Sequence, residues 1–201
     1  MRPGSYFAVM VKAWLVSLYR AFQVNNKYLL PSFVAIALLV LFTEQAKAFI
    51  IIAILGVAAS FSTFYKRVFQ APPAFELITL SVVTVSVFYG PVTGALFAVV
   101  VSITSEIAAQ ALDPFSITYI PPRIATAFAA PILLHNGTGI AMLGFLMSLL
   151  YNALQQPVYW LLTDPEKRIK SIYFGSLNIP LNFIIFKVIG PPLFTILSKL
   201  A

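Results

Sequence analysis

The sequence predicts an all-α fold, a polytopic membrane helix bundle of six to seven transmembrane helices preceded by an amphipathic helix. Three observations carry that expectation. Hydrophobic residues make up 60% of the 201-residue chain and charged residues only 9%, too few charges to clothe a water-soluble domain. The apolar residues gather in runs of roughly 15 to 25, the length of a helix that crosses a bilayer. The breaks between runs are short and hold Pro, Gly or most of the charges. A net charge of +7 dispersed over such breaks is a topology signal and not a nucleic-acid surface.

Residues 1–27 read as an interfacial segment and residues 28–201 as a single transmembrane domain. In the first, Trp14, Leu15, Leu18 and Phe22 share a helical face while Lys12 and Arg20 lie elsewhere, a poor span and a fair surface helix. No small-residue cleavage site follows, so a signal peptide is not expected. Tyr28 to Phe42 is the first span. The polar turn Thr43-Glu44-Gln45-Ala46-Lys47 separates it from the second, Ala48 to Tyr65, which Lys66 and Arg67 close. The third span starts near Ala74 after Pro72-Pro73 and runs to Tyr89, with Glu76, Thr79 and Ser86 near one face. Gly90-Pro91 then opens the fourth, Pro91 to about Leu112, because proline is tolerated in a first helical turn.

Asp113-Pro114 turns the chain into the fifth span, Thr118 to Leu134, entered through Pro121 and Pro122. His135 to Gly139 is a loop. The sixth span is Ile140 to Leu162, the next polar loop runs from Asp164 to Lys170, and Ile172 to Leu200 is the last span, with Lys187 near its middle. The excess of Lys and Arg puts the amino terminus in the cytoplasm and the carboxyl terminus outside. The expected location is the cell membrane.

Charge at membrane depth is expensive, so Glu106 and Arg123, equidistant from the Asp113 turn, are expected to meet as a structural ion pair. Asn152, Gln155 and Gln156 form an amide stripe on the sixth span. Together with Asn182 and Lys187 they are the expected ligand-binding residues, since polar side chains at mid-depth face a cavity or one another and not lipid. No catalytic signature is present: there is no nucleophile elbow, glycine-rich phosphate loop or metal-spaced histidine set. With no cysteine and one histidine, neither a metal nor a cofactor is expected. The chain reads as a non-enzyme.

The run Phe88-Tyr89-Gly90-Pro91-Val92-Thr93-Gly94-Ala95-Leu96-Phe97, followed by a small-residue helix, resembles a helix turn of the substrate-binding S components of energy-coupling-factor vitamin transporters. Ile179-Pro180-Leu181-Asn182 with Lys187 is similar to that family's last helix. The resemblance implies binding of a small vitamin-like solute, with a membrane coupling subunit and ATPases as partners beside the bilayer, and no nucleic acid. Chain size and hydropathy also resemble rod-shape morphogenesis membrane proteins of the MreD type, which implies a noncatalytic scaffold or assembly subunit instead.

Overall fold

The computed structural model describes residues 31–37, 44–67 and 75–200. All regular structure among them is helical. The chain divides into two units, Met1–Lys47 and Ala48–Ala201. In the first, residues 31–37 are helical; the expected interfacial helix and most of the expected first span lie outside the described residues. The other elements are α1 (Glu44–Phe61), a 3-10 turn (Phe64–Arg67), α2 (Ile78–Tyr89), α3 (Pro91–Ala108), a second 3-10 turn (Pro114–Tyr119), α4 (Ile120–His135), α5 (Ile140–Leu162), α6 (Pro165–Val188) and α7 (Gly190–Leu200). Among the described residues, three stretches are long and apolar enough to cross a membrane: Pro91–Ala108, Pro114–His135 and Pro165–Val188.

The bundle is built around α2. Every residue from Ile78 to Ser86 is buried, as expected of a helix that is apolar all round, and α3, α4, α5, α6 and α7 all contact it. The outer surface has the opposite character. Val92, Leu96, Val100, Ile103 and Ile107 form an exposed apolar stripe along α3, whose buried face carries Ser102, Ser105 and Glu106. Polar inside and apolar outside is the reverse of a water-soluble bundle.

Local chemistry sets the helix boundaries. Pro91 starts α3 and Pro121 with Pro122 starts α4, positions where the missing amide hydrogen has no helical partner to lose. Both helices end in Schellman motifs. After α4, Gly137 takes the left-handed position, with Thr138 N–H bonded to Leu133 C=O. After α3 the same position falls to Gln110, at φ 53°, and Ala111 N–H reaches Glu106 C=O at 3.0 Å. Pro131 inside α4 leaves the Ala127 carbonyl without its helical donor. Ser86 on α2 supplies the replacement, its hydroxyl donating to Ala127 C=O.

The longest interface joins α5 to α6. It closes where Gly144 meets the Phe186 ring: a Cβ on Gly144 would stand 2.2 Å from Cγ of that ring. Phe194 of α7 continues the contact, edge-on to Phe88 at 5.2 Å between ring centres.

Three expected boundaries shift. The third span is a helix only from Ile78, because Glu76 stands before it and accepts the Thr79 N–H at 3.2 Å. α1 starts at Glu44, so the described part of the expected polar turn, Glu44 to Lys47, is helical. The last span is two helices, not one. Asp164 caps α6 by accepting the Lys167 N–H at 2.9 Å, and Pro165 follows it; the polar segment read as a loop is the helix's first two turns.

Candidate binding site in the polar interior

Four helices contribute buried polar side chains to the interior, in two groups that meet at consecutive residues of α5. From α4, Arg123 reaches α3, where its Nη1 donates to Ser102 Oγ at 3.0 Å. The guanidinium lies over the ring of Tyr151, 5.2 Å from its centre, and also faces Tyr119 at 6.0 Å. Tyr119 stacks on Tyr159 at 6.2 Å. The Tyr151 hydroxyl in turn sits in the field of Arg123, Glu76 and Glu106.

On α5 the next residue, Asn152, carries the network across to α6. Its Nδ2 donates to Ser148 C=O at 2.7 Å and to Asn178 Oδ1 at 3.3 Å. Asn182, one turn beyond Asn178, donates from Nδ2 to the Asn178 carbonyl at 3.1 Å. Asn178 and Asn182 are both fully buried. Gly175 makes the approach possible, since a Cβ there would come within 2.9 Å of Asn152 Oδ1.

Several polar atoms in this interior lack a hydrogen-bond partner: Arg123 Nε, Asn152 Oδ1, Gln155 Oε1 and Asn182 Oδ1. An unmet buried polar atom costs on the order of 1–3 kcal/mol. Proteins leave few of them, and a cluster calls for an occupant.

The sequence-predicted site residues divide accordingly. Asn152, Gln155 and Asn182 are buried together. Gln156 is half-buried and makes a closed pair with Ser171, accepting from Ser171 Oγ and donating to Ser171 C=O, both at 2.9 Å. It belongs to the α5–α6 seam. Lys187 does not belong to the site: it is exposed, in the last turn of α6. The cause is the end of that helix at Val188, before Gly190-Pro191: Lys187 falls in its last turn, where its charge favours the carbonyl pole, and not at mid-span. Glu106 and Arg123 are both buried, at 3% and 6% exposure. Arg123 bonds Ser102, which precedes Glu106 by one turn on the same face of α3.

Sequence reading left out Asn178, Tyr119 and Tyr151. Asn178 was legible by its one-turn spacing from Asn182. Nothing in the sequence distinguishes Tyr119 and Tyr151 from the chain's other tyrosines.

A loop contact marks one end of the bundle. Lys167 lies 3.7 Å from Asp113 Oδ2 and 4.4 Å from the centre of the Phe115 ring, joining the first turn of α6 to the α3–α4 connection. Near the start of α2, the Tyr65 hydroxyl donates to Phe75 C=O at 2.8 Å and accepts its N–H at 3.1 Å. Burial, with Glu76 nearby, pushes that phenol above its usual 10.0 despite the backbone bond, so it remains a donor at neutral pH.

A separate groove of about 480 Å³ lies between α1 and α3. Ile52, Gly56, Val57, Phe97, Val100 and Ile107 give it an apolar lining, and the Ser60 and Thr104 hydroxyls join the two helices at 2.7 Å.

No protein-family model, curated protein or solved structure matches the chain.

Proposed function

We propose that the chain is a multi-pass subunit of the cell membrane that binds a small solute in its polar interior and works with a coupling subunit and ATPases, as the S-component resemblance implies. One observation carries the reading: Arg123 Nε, Asn152 Oδ1, Gln155 Oε1 and Asn182 Oδ1 are all buried without hydrogen-bond partners. Side chains serving only as glue between helices satisfy one another, as Gln156 and Ser171 do. The inside-out surface and the three long apolar helices support the membrane setting. The unmet atoms are a guanidinium nitrogen and three amide oxygens, so the solute they suit is polar.

The test is the thermal stability of the purified chain with and without a panel of vitamins, nucleobases, amino acids and polyols. A binder raises stability by about 2.7 kcal/mol at a hundredfold excess over Kd. Absence of any shift across the panel, with no compound retained from native membranes, rejects the proposal.

A second reading, a noncatalytic membrane scaffold, is favoured by one feature, the apolar groove between α1 and α3. It predicts that Val57→Trp or Val100→Trp, which fill the groove, release a membrane partner that copurifies with the wild type.

A further inference from the structure

Resting on the solute-binding reading, and deepening it, we infer that the interior is polarised: Asn152 and Asn182 form an acceptor subsite for an ammonium or NH-bearing group, and Arg123 forms a donor subsite for a carboxylate or carbonyl. The solute is therefore a small zwitterion of amino-acid type.

The direction in which the amides face sets this polarity. Asn152 spends its NH2 group on two acceptors, Ser148 C=O and Asn178 Oδ1. Reversing the amide would set its oxygen against two oxygens, so the observed orientation is fixed by its neighbours. Asn182 is held the same way by the Asn178 carbonyl. What each amide leaves unmet is its carbonyl oxygen, and an unmet acceptor calls for a donor or a positive charge. Gln155, three residues after Asn152 on α5, adds a third unmet oxygen.

At the other end the unmet atom is a donor. Arg123 spends Nη1 on Ser102 and has its plane covered by Tyr151, while Nε is buried without a partner. A guanidinium Nε–H suits a carboxylate or carbonyl oxygen. Tyr151 and Asn152 are consecutive residues of α5, so the contacts of the two ends meet on one stretch of backbone. A bare alkali ion fits less well, because it needs more oxygens than these carbonyls supply.

The test uses the full chain in detergent. Thermal shifts are measured with the common free L-amino acids, then with the carboxamide and the N-acetyl derivative of the strongest responder. The proposal predicts a stabilising amino acid whose affinity falls about tenfold or more, 1.4 kcal/mol or more, when either end is blocked. Asn182→Leu should erase the discrimination against the N-acetyl form, and Arg123→Gln the discrimination against the carboxamide. The two blocked ligands test both ends on the wild type even if the arginine variant fails to fold.

Blocked forms that bind as tightly as the parent amino acid overturn the polarity and leave the solute-binding reading standing. So does a response confined to non-zwitterionic compounds that Asn182→Leu removes. A shift with sodium chloride alone, lost in Asn182→Leu, makes the acceptor subsite a cation site and overturns the inference. If no compound of either panel acts, both readings fall.

Discussion

The Ser86 hydroxyl shows how one residue resolves a conflict set by another. Pro131 cannot donate to Ala127 C=O, and the hydroxyl on the neighbouring helix does so instead. Ser86→Ala should cost about 1–3 kcal/mol, the price of an unmet buried acceptor. Pro131→Ala, by restoring the helical donor, should recover most of that loss in the double variant; thermal unfolding of the four proteins checks it, and additive losses would contradict it. Lys187 makes the complementary case. It is exposed at a helix end, so Lys187→Met should change stability by no more than about 0.5 kcal/mol, the range of ordinary surface changes. A large loss would mean that the lysine is buried after all.

At the scale of elements, the end of α3 carries measurable strain. Gln110 occupies the left-handed position of a Schellman motif that α4 fills with Gly137. A side chain there costs roughly 1 kcal/mol, so Gln110→Gly should raise stability by about that amount, and Gly137→Ala should lower it comparably. Denaturation midpoints of the two variants would show the opposite signs.

Much at this scale was legible in the sequence. α5 runs from Ile140 to Leu162 as expected, because Gly139 and Asp164-Pro165 punctuate both ends. The start of α6 was not. Lys167, Arg168 and Lys170 look like a solvated loop, although Asp164-Pro165 is an N-cap followed by a first-turn proline. The end of α6 at Val188 was not legible either, and a single span drawn through Gly190-Pro191 carried Lys187 into the site. The amides Asn152 and Gln155 were legible because helical spacing puts them on one face. The Tyr151 and Ser102 contacts of Arg123 were not, because they depend on which helices pack together, which spacing on one helix does not encode.

For the whole molecule, the question is whether the buried amides hold a solute or hold the helices. The two roles predict opposite responses to Asn182→Leu, because the Asn182 amide bonds a carbonyl of its own helix and leaves its oxygen unmet. A glue residue loses stability when made apolar, whereas a residue kept unmet for a ligand gains or holds stability and loses function. The decisive measurement is native mass spectrometry of the wild type and Asn182→Leu, purified from membranes, with thermal unfolding of both. A solute site predicts a bound small molecule on the wild type, its absence from the variant, and an apo stability of the variant equal to or above the wild type's. A wild type carrying only lipid, with a variant that is markedly destabilised, would contradict it.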